Sequence, residues 1–389
     1  MRKILYAVFL FGCCASLLSG CIKEKYTVPS EKGDALVQLN IGTRAVEETD
    51  GIPTNNETVL HSLRVYAFVD GQPAGHFYTK DGLDVNNPSF LMHLTMYSTM
   101  TQKVDFYVVA NEAAMETPDS SVLLTENTTE TQLNHFTFTK LNTSKGLPMF
   151  CKQTETIDLT QLSDKTPADP GHAGHTLLRQ DLTFELKRPI GKLGVFAAKP
   201  VGENSSLRVT GLTVLASGTR TRNYLMPQTD ETLKAITGIT GDISLEVVEE
   251  EVTKTLAENA SQTDKENPAN YTPVLNESFY LFENPWGSTS WDVKGDNDGN
   301  VLRVDYEFDG NARSGFVYMP PIERNKYYTV CCLMHNDGKI TVEYKVADWN
   351  KENYNITFDY PSYDNPITPA DGSSVPEDGQ YSQPTIWYN

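Results

Sequence analysis

The sequence predicts an all-β fold made of two β-sandwiches in tandem, followed by a C-terminal strand extension. Many short runs alternate between apolar and polar residues, and turns that contain glycine or proline separate them. Tyrosine, phenylalanine, valine and threonine are frequent, whereas long helix-favouring runs of alanine, leucine, glutamate and lysine are absent. At 389 residues the chain is also longer than one typical core requires.

The first sandwich is predicted over residues 45–175. Its two clearest strands lie in residues 62–69 and 102–113, and the first of them ends at an Asp-Gly turn. The apolar residues that alternation places on one face of each strand are Leu63, Val65, Ala67 and Val69, then Val104, Phe106, Val108 and Ala110. The run 163–175, which contains proline and glycine, is interpreted as the junction between the domains.

The second sandwich is predicted over residues 176–350. Leu182, Phe184 and Leu186 alternate at its start, and further strand-like runs follow up to Trp349. An acidic stretch, 245–270, is the one place where a short helix is expected.

The C-terminal extension, residues 351–389, combines two apolar segments with a linker. The first segment alternates Tyr354, Ile356, Phe358 and Tyr360 on one face. A stretch rich in proline, aspartate, serine and glycine follows, which is typical of an uncollapsed linker. The chain then ends in "QPTIWYN", which contains Ile386 and Trp387. An apolar tail behind a linker is unusual for a monomer, because tails left in water are usually polar.

The N-terminus carries a leader, a tether and one strand. Residues 1–20 have a basic start and a short apolar stretch, and "LSGC" at 18–21 resembles a bacterial lipobox. By that resemblance the leader is cut after Gly20, and Cys21 becomes a lipid-modified N-terminus held on a membrane. The segment 21–44 continues as a polar tether and then a strand, and it ends at a lone Arg44 before Ala45 and an acidic loop. The apolar residues on one face of this strand are Ala35, Val37, Leu39 and Ile41.

Charge and motif content narrow the function classes. A formal net charge of -19 argues against binding to nucleic acid, which requires a basic face. The sequence has no nucleophile elbow, zinc-protease helix or phosphate-binding glycine loop, so it predicts neither catalytic residues nor a cofactor site. His172 and His175 have helical metal-ligand spacing, but the glycines and proline around them favour a loop. Residues 295–300 resemble a calcium loop incompletely and are interpreted as a hairpin turn.

The cysteines outside the leader leave two interpretations open. Cys331 and Cys332 are adjacent in a predicted strand, so their side chains should lie on opposite faces. Either Cys151 forms a disulfide with one of them, or all three are buried thiols, which is the favoured interpretation because free cysteine is among the residue types most often buried.

Several runs resemble the fimbrillins of Bacteroidales, the subunits of type V fimbriae. In chain order they are "LNIGTRA" after the lipobox leader, "FYVVANEA", "LKRPIGKLGVFA", "SFYLFENP", "IERNKYYTV" and "VEYKVADWN". Each run is weak alone, but their order covers nearly the whole chain. Residues 112–175 and 245–270 carry no recognisable motif of this family.

The resemblance implies two transthyretin-like β-sandwich domains and an outer-membrane lipoprotein precursor. An arginine-specific protease would cut in the loop after the first strand, and the matching bond is Arg44–Ala45. The opened groove would accept a C-terminal strand of a neighbouring subunit, so that homopolymers and accessory subunits build a surface fimbrium that supports adhesion. The physics is consistent, because a donated strand restores both the hydrogen-bond ladder and the core.

Several alternatives stay open at this point. The donor strand could be the segment around Ile356 and Phe358 or the segment around Ile386 and Trp387. A stalk subunit is favoured because the chain offers both a removable strand and a donor, but a tip or an anchor subunit uses the same family fold. A surface glycan-binding lipoprotein is the alternative from another class, and its sugar-stacking residues would be Tyr280, Trp286 and Trp291.

Overall fold

The structure is a computed structural model. It describes residues 33–42, 57, 59–81, 83, 89–97, 101–117, 123–158, 176–177, 182–184, 186–215, 219–236, 238, 240–248, 250–287, 299–335, 340–349 and 355–358. Several predicted features lie outside this part of the chain: the leader, the Arg44–Ala45 bond, the His172/His175 pair, Trp291 and the last 31 residues (359–389).

Strands dominate the described residues. The strands of the first half are β1 (Gly33–Gly42), β2 (Leu63–Val69), β3 (Gln72–Thr79), β4 (Ser89–Met96), β5 (Thr101–Ala110), β6 (Met115–Glu116), β7 (Thr137–Phe138), β8 (Lys140–Leu141), β9 (Met149–Asp158), β10 (Thr176–Leu177) and β11 (Thr183–Phe184). The second half contains β12 (Gly191–Pro200), β13 (Leu207–Val214), β14 (Asn223–Tyr224), β15 (Ile243–Leu245), β16 (Thr255–Leu256), β17 (Thr272–Pro273), β18 (Phe279–Leu281), β19 (Val301–Phe308), β20 (Asn311–Tyr318), β21 (Lys326–Met334), β22 (Ile340–Asp348) and β23 (Asn355–Phe358).

Helices in the described residues are short. The α-helices are α1 (Glu130–Asn134), α2 (Asp230–Lys234) and α3 (Gln262–Lys265), and 3-10 turns occupy Glu112–Ala114, Thr143–Lys145 and Pro268–Asn270. Each α-helix begins at a threonine or serine whose side chain accepts a hydrogen bond from a backbone N–H of the first turn. Helix α3 confirms the short helix expected in the acidic stretch. None of the helices in the described ranges combines the length and apolar character that crossing a membrane requires.

The first sandwich consists of two sheets around one core. One sheet has the order β3-β2-β5-β9, and the other contains β1, β4, β10, β11 and β23. The two strand faces predicted from alternation in β2 and β5 are both buried in this core, together with Met92, Leu94 and Met96 of β4. The predicted hairpin turn is present, since Asp70 and Gly71 both have positive φ angles, 49° and 76°.

Leu182, Phe184 and Leu186 also belong to this first core, although the sequence placed them at the start of the second sandwich. They reach the first core because β11 pairs with β23 in the sheet that contains β1. Alternation predicted their burial, but it could not predict which core receives them.

The second sandwich is built in the same way around a second core. One sheet has the order β16-β12-β21-β22, with β17 and β18 also paired to β12, and the other has the order β15-β13-β19-β20. Strand β12 runs parallel to β21 from Lys192↔Tyr327 to Ala198↔Leu333. Its residues Gly191–Lys199 are all buried, as expected of an interior strand that is covered on both faces.

A third buried cluster contains residues from both halves of the chain. The outward faces of β2 and β5 contribute Tyr66, Phe68 and Tyr107, and these are joined by Leu225, Tyr327 and Trp349. The sheets and the sandwich packing confirm the predicted all-β fold. The division into two transthyretin-like domains at residue 175 stays a prediction.

The cysteine question is decided in favour of buried thiols. Cys151 lies in the first core, Cys332 in the second core, and Cys331 in a separate small cluster on the opposite face of β21. Burial raises the pKa of the Cys331 thiol to about 12, so it remains protonated and unreactive near neutral pH.

Candidate strand-replacement site in the first sandwich

Strand β1 occupies an interior position of its sheet. On one side it pairs antiparallel with β4 over eight residue pairs, from Gly33↔Met96 to Asn40↔Ser89. On the other side it pairs parallel with β10 and antiparallel with β23. Removing β1 would therefore expose two rows of backbone N–H and C=O groups, one on each side of the gap.

The register places the predicted removable residues opposite core positions of β4. Ala35 pairs with Leu94 and Val37 pairs with Met92. Leu94 and Met92 are 0% and 1% exposed and belong to the first core. Loss of β1 would thus open the sheet directly over buried apolar side chains.

Strands β10 and β23 bound the other side of the gap, and the next strand beyond β23 is β11. Phe184 is fully buried there, and its ring lies 5.4 Å from that of Phe106 in the facing sheet. Leu182 and Leu186 flank it in the same core. Buried apolar side chains of β4 beside the gap and of β11 beyond β23, together with unpaired backbone groups at the rims, would form a groove that suits an extended, alternating strand.

One predicted donor segment lies next to β1 in the same chain. Strand β23 pairs with β1 through Leu39↔Phe358 and Ile41↔Ile356, and on its other side with β11. In the uncut chain this segment is therefore part of its own β1 sheet. The prediction was that it completes the equivalent sheet of a neighbouring subunit. The other predicted donor residues, Tyr354, Tyr360, Ile386 and Trp387, lie outside the described residues.

The chain that follows the predicted cut site is anchored by a buried carboxylate. Glu57 is 4% exposed, and its Oε2 lies 3.3 Å from the Nζ of the fully buried Lys192. The Tyr280 hydroxyl donates to its Oε1 at 2.7 Å. Arg188 Nη2 donates to the Glu57 backbone carbonyl at 3.0 Å. These contacts tie residue 57 to β12, β18 and the segment before β12.

Asn111 fixes the next few residues of the same segment. It follows β5 in the left-handed backbone region, with φ 55° and ψ 43°, which asparagine tolerates better than most residues. Its Oδ1 accepts from the His61 N–H at 2.7 Å, and its Nδ2 donates to the carbonyls of Val59 and Leu147 at 2.8 Å each. This explains the asparagine of the "FYVVANEA" run.

Sequence reasoning singled out neither Glu57 nor Lys192 as functional positions. Glu57 lies in a polar stretch, "NNETV", that reads as loop, and Lys192 resembles a solvated charge at the start of a strand. A usable signal for Lys192 was its neighbourhood, because a lone lysine in the near-continuous apolar run "IGKLGVFAA" needs a buried partner.

The aromatic residues of the glycan-binding alternative contact protein groups. The Tyr280 ring stacks on Trp349 at 5.7 Å with an interplanar angle of 13°. Lys234 Nζ lies 5.1 Å from the centre of the Trp286 ring. Trp291 lies outside the described residues. Among the described residues, no group of three histidine, cysteine, aspartate or glutamate side chains is placed to hold a metal ion.

Comparisons with known proteins gave matches to solved structures alone, since no family model and no curated protein matches the chain. The tip fimbrial protein Mfa3 from Porphyromonas gingivalis, truncated at its C-terminus, is 15% identical with a TM-score of 0.46, covering 81% of this chain and 100% of that chain. The fimbrilin fimA from the same species is 11% identical with a TM-score of 0.45, covering 83% and 99%. A fimbrial assembly protein from Parabacteroides distasonis is 15% identical with a TM-score of 0.40, covering 81% and 95%. All three are fimbrial proteins, the class that the sequence resembles, but a likeness at this level assigns no function by itself.

Proposed function

We propose that this chain is a structural subunit of a cell-surface fimbrium, in which a neighbouring copy replaces the first strand after proteolysis. The observation that carries the proposal is the position of β1, which lies between β4 and β23 and is followed closely in sequence by the lone Arg44. A strand at the permanent edge of a sheet would leave no groove on removal, whereas an interior strand leaves one with two rims.

The proposed path begins at the membrane. The leader ends at Gly20, and lipid on Cys21 holds the precursor at the outer membrane. An arginine-specific protease then cuts between Arg44 and Ala45. This single cut separates the body from its lipid anchor and also from the strand Gly33–Gly42.

The cut can remove β1 without loosening the body that follows it. Glu57 is held by Lys192 and Tyr280, and residues 59–62 are held by Asn111. Twelve residues separate Arg44 from Glu57 in the sequence, so the tie to the core lies well beyond the cleaved bond.

A replacement strand would be bound by both backbone and side chains. It restores the ladder that β4 loses, and each apolar side chain of Val or Leu size that it buries contributes roughly 1.5–3 kcal/mol. Such a contact joins the groove of one copy to the tail of the next, so it does not close on itself and propagates into a fibre.

Two donor segments remain under this proposal. If residues 354–360 donate, β23 must first leave its place beside β1 in its own chain, and removal of β1 removes one of its two partners there. If residues 384–389 donate, β23 can stay in place and the linker before them spans to the neighbour. A stalk subunit needs both a groove and a donor strand, and this chain offers candidates for each. A tip or an anchor subunit would not need both.

Limited digestion with an arginine-specific protease tests the proposal. We expect a body that begins at Ala45 and then forms ladders of oligomers resistant to mild denaturant, while Arg44→Gln stays intact and monomeric. Arg222→Gln, at an exposed arginine in the second half of the chain, is the matched control and should behave as the parent chain. Oligomers in which every copy still retains residues 33–42 in its own sheet would contradict the proposal.

A cross-link tests whether β1 must leave. Ile41 and Ile356 are opposite each other in the β1–β23 ladder, so Ile41→Cys with Ile356→Cys should form an intramolecular disulfide. The oxidised double variant should be cut at Arg44 but should not polymerise, and reduction should restore assembly. Polymerisation at the same rate with the cross-link intact would overturn strand replacement.

A further inference from the structure

We propose that Met92 of β4 is a redox-sensitive switch, at which oxidation of the thioether by a peroxide blocks refilling of the gap that β1 leaves. The inference rests on the proposed function, because it requires β1 to depart and a new strand to take its place. Met92 is buried in the first core and lies beside the strand that departs.

In the uncut chain Met92 is shielded from solvent. Its side chain is 1% exposed, and in the β1–β4 ladder it lies opposite Val37. Its Cε lies 2.9 Å from the position that a Cβ on Gly75 would take, so the terminal methyl group packs against the backbone of β3. An oxidant must reach the sulfur to react with it, and Met92 of the uncut chain should therefore react slowly.

Removal of β1 would uncover Met92. Among the described strands β4 pairs with β1 alone, so β4 loses its neighbour and borders an open core. Small molecules then reach side chains that the closed sheet excludes. A replacement strand covers the same side chains again. The cut chain with an empty groove is thus the state in which Met92 should react fastest.

The oxidation requires a peroxide and no further reactant. A lone pair of the Met92 sulfur attacks one peroxide oxygen, the S–O bond forms as the O–O bond breaks, and hydrogen peroxide is reduced to water while the sulfur is oxidised. The product is a sulfoxide, which is a polar group in place of an apolar one. Reduction by two thiols reverses the step, because it returns the thioether and yields a disulfide and water.

A sulfoxide on Met92 would oppose docking of a replacement strand. The refilled groove would bury its oxygen in a core whose members, such as Leu94, are hydrophobic, and a buried acceptor without a donor is costly. Met96 is equally buried but differs, because Gln102 Nε2 lies 3.9 Å from its sulfur and offers an amide donor to a sulfoxide there. Met92 is therefore the sensitive position of the two.

Peroxide treatment of the full chain in three states, followed by peptide mass spectrometry, tests the first step. The states are the uncut chain, the chain freshly cut after Arg44 and kept dilute, and the assembled polymer. We expect Met92 to be oxidised roughly tenfold faster or more in the cut chain than in the other two states. Met334, which is fully buried in the second core, should stay unoxidised in all three. Equal rates at Met92 in the cut and uncut chains would overturn the inference.

Light scattering of the cut chain before and after peroxide treatment tests the second step. Oxidation should slow polymerisation roughly tenfold or more, since a buried acceptor without a partner typically costs that ratio. Met92→Leu has a similar side-chain volume and no sulfur, so it should polymerise at the parent rate with or without peroxide. Met96→Leu is the matched control and should remain as sensitive to peroxide as the parent chain.

The untreated samples separate this inference from the function on which it rests. If the cut, untreated parent chain does not polymerise, the proposed strand replacement is wrong and the switch is wrong with it. If that chain polymerises, but peroxide leaves its rate unchanged or slows Met92→Leu as much as the parent, the switch alone is refuted.

Discussion

Glu57 and Lys192 form an ion pair that is almost completely removed from water. Their side chains are 4% and 0% exposed, and the charged atoms lie 3.3 Å apart. Such a pair gains little over an apolar pair of the same shape, but removing one partner leaves a buried charge without compensation. The pair therefore acts mainly as a constraint on where the segment after the predicted cut site must lie.

Lys192→Met should lower the free energy of unfolding by about 3–5 kcal/mol, because it leaves the Glu57 carboxylate buried without its cation. Adding Glu57→Gln should recover part of the loss, since the amide still accepts from Tyr280 and carries no charge. Urea unfolding followed by fluorescence measures both. Lys265→Met is the control, since the 4.0 Å Lys265–Glu343 pair is partly exposed and should cost less than about 1 kcal/mol. Equal losses in Lys192→Met and Lys265→Met would refute the buried constraint.

His76 is held neutral by its surroundings on the outward face of β2 and β3. Burial and the charge of Arg64 lower the pKa of His76 to about 4. Arg64 Nη1 donates to His76 Nε2 at 2.9 Å, and Nε2 can accept only when that nitrogen is unprotonated. Arg64 is fixed in turn by two hydrogen bonds to the Glu112 carboxylate.

This arrangement predicts a pH-dependent loss of stability on the acid side. The folded pKa, about 4, lies below the unfolded value near 6.5, so the unfolded chain binds more protons between these limits. The contribution of His76 is fully present above pH ~6.5 and is lost as the pH falls towards ~4, a change on the order of 2 kcal/mol. His76→Gln should flatten the unfolding free energy over this range, and the exposed His135→Gln should leave it unchanged. If His76→Gln shows the same dependence of unfolding free energy on pH as the parent chain, His76 is not the source of the acid-side loss of stability.

At the scale of elements, the close approach of β3 and β4 requires a residue without a side chain at position 75. A Cβ on Gly75 would lie 2.6 Å from the His93 carbonyl oxygen and 2.9 Å from Met92 Cε. Strands of the two facing sheets approach each other closely there, so the position needs glycine for space and not for its backbone angles.

Gly75→Ala should destabilise the first sandwich by about 1–3 kcal/mol, because the added methyl group overpacks this corner against backbone atoms. Gly211→Ala is the matched control, since its added Cβ would lie no closer than 3.4 Å to a side-chain atom of Asp305. Thermal unfolding should show a clear decrease for the first variant and a small change for the second. A small effect of Gly75→Ala would mean that β4 can shift to make room.

Strand β4 is the element that loses most when β1 is removed. Among the described strands it pairs with β1 alone, over residues 89–96. Hydrogen exchange should therefore show rapid exchange of the β4 amides after cleavage at Arg44, while the β21 amides in the second sandwich stay protected. Added peptide 33–43 should restore protection in β4 through rebinding. Protection in β4 that survives complete removal of the strand would contradict its role as one wall of the groove.

At the scale of the whole molecule, charge opposes association of copies. Residues 1–44 contain six basic and three acidic side chains, so the body left after the predicted cut carries a net charge of -22. Like-charged copies repel each other over distances comparable to the Debye length.

Under the proposed assembly, polymerisation of the cut body should accelerate as salt rises from about 0.01 M to 0.15 M, where the Debye length falls from about 30 Å to 8 Å. Cleavage must be completed at one salt concentration before the comparison, so that protease activity does not vary. Light scattering gives the rates. Assembly that slows with salt would indicate that attraction between opposite charges, and not strand burial, drives it.

Local patterns in the sequence determined which segments form strands and which of their faces are buried. Alternation in β2 and β5 predicted the residues found in the first core, and the Asp70-Gly71 pair predicted its hairpin. These predictions were correct because the alternation of side chains and the geometry of a turn depend on residues that are adjacent in the chain. The strand predicted over residues 35–41 was found in the same way, since these residues lie within β1.

Pairing partners were decided by the tertiary structure. The sequence did not indicate that residues 39–42 meet residues 355–358, that Leu182 to Leu186 join the first core, or that Lys192 is buried against Glu57. The physical reason is that a pleated strand presents similar backbone groups to every candidate neighbour. The strand that actually pairs with it is selected by the packing of side chains that are distant in sequence.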